Sequence, residues 1–144
     1  MKYINKSLTI ENIKVQDIAK KFGTPIYCYS YKRLKENIAN FQNNFNSFSP
    51  LICFAIKSNT NVKLITEIQK LGLGADVVSM GELMLALKAG VKPNKIVFSG
   101  VGKTSEEISY AINKKILLIN AESKSEIIEI ERIARSKKRA VSIG

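Results

Sequence analysis

The sequence predicts an α/β fold of repeated strand–helix units, and three observations carry that prediction. Five apolar runs recur at nearly even spacing, beginning at residues 51, 75, 96, 116 and 140. The segments between them place apolar residues at helical steps of three and four. Three of those segments open with a hydroxyl residue followed three positions later by a glutamate, the spacing of a helix capping box.

Each element can be justified in order along the chain. A short helix is expected where Val15, Ile18, Ala19 and Phe22 share a face, with Gly23 as its stop. Residues 24–29 read as extended, because Pro25 biases Thr24 away from the helical region. A longer helix then carries Leu34, Ile38, Phe41 and Phe45. Residues 1–50 thus form a first region: a helix, a tyrosine-bearing strand outside the regular repeat that is expected to pair with a β-domain absent from this chain, and a long helix.

Residues 51–144 hold the repeat, with strands expected at 51–56, 75–79, 96–99, 116–120 and 140–143. Val62, Ile65, Ile68 and Leu71 mark the first intervening helix, and Gly72 ends it. Leu83, Ala86 and Leu87 mark the second, which Gly90 ends. Ile108, Ala111 and Ile112 mark the third, and Ile127, Ile130 and Ala134 the fourth. The capping-box pairs are Ser79–Glu82, Thr104–Glu107 and Ser123–Glu126. Continuous apolar strands alternating with helices belong in a parallel sheet. Periodicity leaves two architectures open, a doubly wound open sheet and a (β/α)8 barrel of which this chain would supply about five units.

Composition narrows the function. A 45% hydrophobic content over 144 residues supports a packed core. No stretch has the length of a membrane span. Met1 to Gln16 mixes Lys2, Lys6, Glu11 and Asn12 into its apolar residues, so the expected location is cytoplasmic. Cys28 and Cys53 lie in apolar runs and read as free thiols. The chain has no histidine, so no metal site is expected. The net charge of +11 gives an electrostatic footprint for nucleic acid. Its lysines are spread over nearly every predicted helix, however, and no recognition motif accompanies them, so nucleic acid is not the expected partner.

In a parallel sheet of either kind, functional groups gather at the carboxyl ends of strands. Lys57 stands out there, directly after Ile52-Cys53-Phe54-Ala55-Ile56. If desolvated at the mouth of the sheet, its amine would be a nucleophile suited to a carbonyl cofactor. A strand-end lysine that simply reaches solvent is the equal alternative. Gly102-Lys103-Thr104 imitates a phosphate-binding loop, but that motif needs a glycine at position 97, which is Val97. Glu82 is fully accounted for by the capping box.

Several stretches together resemble one family. Phe54-Ala55-Ile56-Lys57-Ser58-Asn59 is similar to the cofactor-lysine motif of the pyridoxal-phosphate decarboxylases with an alanine-racemase-like barrel. In register with it stand Gly74-Ala75-Asp76-Val77-Val78-Ser79, Gly81-Glu82-Leu83, the segment from Ile96 to Thr104, and Ile119-Asn120-Ala121-Glu122-Ser123. The opening run from Phe22 to Tyr29 also looks like the start of that family. The diaminopimelate decarboxylase branch is the nearest in pattern.

The resemblance implies a partial pyridoxal-phosphate-binding barrel that lacks the last barrel strands and the C-terminal β-domain. It also implies a product of decarboxylation, L-lysine from meso-diaminopimelate. Lys57 would bond covalently to pyridoxal 5′-phosphate. Ala55 would pack under the cofactor ring, Asp76 would lie near the cofactor, and Glu82 would support the lysine. The resemblance further implies an amino acid substrate once a C-terminal part completes the site, and a homodimer at full length. Their remaining chain supplies a ring-stacking histidine, a glycine-rich phosphate loop and a glutamate for the pyridine nitrogen. The expectation is therefore an N-terminal part of such an enzyme, with little activity alone. A non-catalytic pyridoxal-phosphate binder and a basic nucleic-acid or scaffold protein are the alternatives.

Overall fold

The computed structural model describes residues 1–45 and 47–144 and divides into two compact units, Met1–Ser49 and Pro50–Gly144. In the first, strands β1 (Lys2–Ile4), β2 (Ser7–Ile10) and β3 (Ile13–Lys14) form an antiparallel meander. Helix α1 (Val15–Phe22) follows directly and stops at Gly23, as expected from its sequence. Residues 24–29, expected as a strand, join no ladder: Thr24 and Pro25 form a bend, and Tyr27 and Tyr29 are exposed. Helix α2 (Tyr31–Gln42) is capped by Ser30, whose Oγ accepts the Arg33 N–H. It ends before Phe45, which instead stacks edge-on against Phe41 and Phe48.

The meander was not legible in the sequence. Its turns place Asn5, Lys6 and Glu11 at positive φ, where glycine is the usual signal. Without glycine or proline as punctuation, nothing marked the strand ends.

The second unit repeats strand and helix four times: β4 (Cys53–Ala55), α3 (Val62–Lys70), β5 (Gly74–Val77), α4 (Met80–Lys88), β6 (Ile96–Phe98), α5 (Ser105–Lys114), β7 (Leu118–Ile119) and α6 (Lys124–Ser136). All ladders are parallel and the spatial order is β4-β5-β6-β7. The fifth expected strand is present as a parallel bridge between Ile119 and Ile143.

That order decides between the two architectures. A doubly wound sheet reverses direction at a switch point and carries helices on both faces. Here each strand lies beside its predecessor without reversal, and right-handed crossovers then put every helix on one side. One sheet face, formed by Ile56, Ala75, Val77, Ile96, Phe98 and Ile119, is buried against Ile65, Leu83, Ala86, Ile108, Ala111 and Ile130. Full burial of a residue such as Phe98 stabilises the fold by roughly 1.5–3 kcal/mol. The other face carries Cys53, Ala55, Asp76, Val97, Ser99, Leu118 and Asn120, all half-buried. The result is the first part of a barrel, with its inner face open.

Helix α6 departs from the expected stripe. Ile127 is exposed, and the inward face is Glu126, Ile130, Ile133 and Ala134. The helix is rotated because Glu126, not Ile127, is drawn inward to a buried ammonium group.

Candidate functional site

The open face and the carboxyl ends of β4–β7 hold every residue that the sequence singled out. Strand β4 ends at Ala55, and a single 3-10 turn, Ile56–Ser58, carries the chain toward α3. The turn is closed by Ser58 Oγ donating to the Ala55 carbonyl at 2.8 Å and by the Asn59 N–H donating to the Ile56 carbonyl at 2.9 Å. Asn61 then caps α3, accepting from the N–H groups of Lys63 and Leu64. Lys57 lies inside this turn and is exposed. Of the two alternatives the sequence left open, the structure shows the solvent-reaching one: β4 ends at Ala55, and Lys57 lies in the turn that follows. Among the described residues no ion pair or hydrogen bond engages its amine.

Ala55 stands opposite Asp76 in the ladder, so both face the open side on neighbouring strands. The Asp76 charge is felt by Cys53 on the same face: burial first, and then Asp76, raises the Cys53 thiol above its ordinary pKa. Cys53 is thereby an inert, protonated thiol. Among the described residues no hydrogen bond or ion pair joins Glu82 to Lys57. Its Oε2 accepts the Val78 N–H at 2.9 Å, while Ser79 Oγ accepts the Glu82 N–H at 3.2 Å. The carboxylate thus reaches one residue beyond the capping position and pins the β5–α4 turn. The pair Ser123–Glu126 repeats this geometry, with Glu126 Oε2 accepting from the Glu122 N–H at 2.7 Å. Only Thr104–Glu107 forms the reciprocal box, and Glu107 Oε1 also accepts from the Met80 N–H at 3.0 Å.

Lys103 is the surprise at this edge. Its side chain is 1% exposed and its ammonium donates to the carbonyls of Gly100 and Asn120, both at 2.6 Å, and to Glu126 Oε1 at 3.2 Å. The ring of Phe98 lies 5.8 Å below it, a distance suited to a cation–π contact. Gly100 and Gly102, at φ of +91° and +72°, bend the loop back so that the lysine can turn inward. The decoy motif is a structural clamp with no donor left for phosphate.

A polar row crosses the open face beside it. Ser99 Oγ donates to Asp76 Oδ1 at 2.6 Å, and Asn120 Nδ2 donates to Ser99 Oγ at 3.0 Å. Sequence reasoning had these positions at the strand ends but not their connection, which depends on ladder register.

Ala55 and Asp76 share one half-open sheet face, and the exposed Lys57 follows in the turn after β4. Residues 31–143 match the family described as pyridoxal-dependent decarboxylase, pyridoxal binding domain. The chain belongs to the pyridoxal-dependent decarboxylases. The cofactor of this family is accordingly pyridoxal phosphate, as the sequence suggested.

Within this family, diaminopimelate decarboxylase of Aquifex aeolicus (strain VF5) is 42% identical over 134 residues, 93% of this chain and 31% of the relative. That of Helicobacter pylori (strain J99) is 44% identical over 121 residues, 84% of this chain and 30% of the relative. The crystal structure of diaminopimelate decarboxylase from Helicobacter pylori complexed with L-lysine superposes with a TM-score of 0.85 at 41% identity, covering 89% of this chain and 32% of that one. Its counterpart from M. jannaschii, also with L-lysine, gives 0.89 at 33% identity, covering 97% and 35%. The chain thus spans about a third of the length of the decarboxylases it matches. Among the described residues no helix is long and apolar enough to cross a membrane.

Proposed function

We propose that this chain is the N-terminal part of a pyridoxal-phosphate-dependent decarboxylase that converts meso-diaminopimelate to L-lysine and carbon dioxide. Lys57 is its cofactor lysine. The observation that carries this reading is the exposed, unengaged Lys57 in the turn just after β4, the strand whose Ala55 pairs with Asp76 in the ladder. It stands in a chain more than 40% identical to diaminopimelate decarboxylases.

Pyridoxal phosphate supplies an aldehyde that condenses with amines and a ring that draws electrons from the bond to the departing carboxylate. The rest of the proposal concerns this chain's own groups. Lys57 presents its amine from a short, hydrogen-bonded turn, so capture of the aldehyde breaks no existing contact. Ala55, with only a methyl group, leaves room for a planar ring against the sheet. Asp76 offers a fixed carboxylate to a donor on the cofactor. Glu82 is a positioning residue that holds the Val78–Ser79 turn next to that carboxylate. Completion of the site falls to further polypeptide, whether joined to this chain or separate.

The test is to mix the chain with a polypeptide supplying the remaining two thirds of such an enzyme, add pyridoxal phosphate, reduce with borohydride and map the label. The expected result is a pyridoxyl group on Lys57 and lysine formation from diaminopimelate before reduction. A label on other lysines alone, with no lysine formed, sinks the proposal.

A further inference from the structure

We infer that Asn120 and Ser99 are positioning residues that lock the orientation of Asp76, acting as a one-way hydrogen-bond relay anchored on the buried Lys103–Glu126 pair. This rests on the reading above that the open face takes pyridoxal phosphate.

The direction of the relay follows from proton inventory. An ionised carboxylate only accepts, so the single hydroxyl proton of Ser99 is committed to Asp76 Oδ1 at 2.6 Å. That leaves the Ser99 oxygen as an acceptor, and the Asn120 amide fills it from Nδ2 at 3.0 Å. Asn120 is in turn immobilised through its backbone: its carbonyl accepts from Lys103 Nζ at 2.6 Å, and its N–H donates to the Phe98 carbonyl at 2.9 Å. Lys103 is held by the Gly100 carbonyl and by Glu126, whose other contact is the Glu122 N–H. Three strand ends are thereby tied in series, from the start of α6 to the carboxylate on β5.

The inner end of the series is where it matters. Asp76 Oδ1 is occupied by Ser99, while Oδ2 accepts no hydrogen bond among the described residues. A half-buried aspartate without such a tether would sample several rotamers. Held by one oxygen, it keeps the other directed for a donor on the bound cofactor. The serine and asparagine fall on this face because Val97 and Leu118 pair with Asp76 in one row, and Ser99 and Asn120 lie two residues further along their strands.

The relay is tested in two measurements on the full chain. In the absence of cofactor, three-bond couplings at Asp76 are expected to report a single χ1 rotamer in the native protein and in Ser99→Thr, which keeps the hydroxyl. Averaged couplings are expected in Ser99→Ala and in Asn120→Ala, with no further change in the double variant. Asn120→Asp, nearly the same shape but without the donor, repeats the test should the alanine variants not fold. With pyridoxal phosphate and borohydride, labelling of Lys57 is expected to slow about three- to tenfold in each single variant, the scale of one hydrogen bond, and no more in the double. Unchanged Asp76 couplings in Asn120→Ala and Asn120→Asp overturn the relay even if Lys57 is labelled. Additive losses in the double variant also overturn it. Failure to label Lys57 in the native chain mixed with a polypeptide supplying the remaining two thirds of such an enzyme overturns the cofactor reading instead, and leaves the coupling result standing.

Discussion

Two lysines stand just beyond strands of the same parallel sheet, and their surroundings are opposite. Lys57 leaves β4 through a tight turn and is exposed. Lys103 follows β6 through a glycine-bent loop, and its side chain is 1% exposed. The first has no protein partner among the described residues, while the second has two carbonyls, a carboxylate and an aromatic ring. The difference teaches that burial of a lysine at a strand end marks structural work when the ammonium is fully satisfied. An amine available for chemistry is the one the fold leaves unengaged. For Lys57 the sequence left both outcomes open, a desolvated amine and one that reaches solvent.

The contrast can be broken most directly by removing the buried cation. Lys103→Ala strands Glu126 in a site where its own side chain is 8% exposed. A loss of about 3–5 kcal/mol in urea unfolding is expected, the cost of an orphaned buried charge. A loss no larger than the roughly 0–1 kcal/mol of an exposed pair would erase the distinction. Next in size is Thr104→Ala, which deletes the cap of α5 beside Lys103. It should cost about 1 kcal/mol in the same assay.

Acid sharpens the comparison further. The Thr104 N–H first, and then the Met80 N–H, hold the Glu107 carboxyl below its ordinary value of 4.5. A group lowered in the folded state contributes fully above that ordinary value and loses its contribution as pH falls through the lower one. Protection of the Thr104 and Met80 amides, measured relative to their intrinsic exchange rates, is therefore expected to hold down to the ordinary glutamate value of 4.5 and to fall as pH passes through the lowered one. The Lys57 turn, which uses no carboxylate, should show no such step.

The smallest effect on stability is expected at the other lysine. Lys57→Ala should leave the unfolding free energy within about 0.5 kcal/mol of the native value, as for other exposed sites. The same variant should lose all borohydride-trapped pyridoxal at that position. A large destabilisation would mean that Lys57, too, is a packing element.

What was legible in the sequence was whatever depends on neighbours along the chain. The face of α5, with Ile108, Ala111 and Ile112 buried, follows from helical spacing alone. The caps at Ser79, Thr104 and Ser123 follow from the hydroxyl at the right offset. The motif around Lys57, with the other stretches in register with it, was sufficient to indicate the family.

Other features were set by partners distant in sequence. Glu126 turns inward, displacing Ile127, because an ammonium 23 residues away waits inside. The row Asp76–Ser99–Asn120 exists only when three strands adopt one register. Local periodicity reports which residues share a face of their own element, and that much the chain determines by itself. Which groups meet across elements, and whether a lysine ends in water or in the core, is fixed only when the ladders align and the helices settle over them.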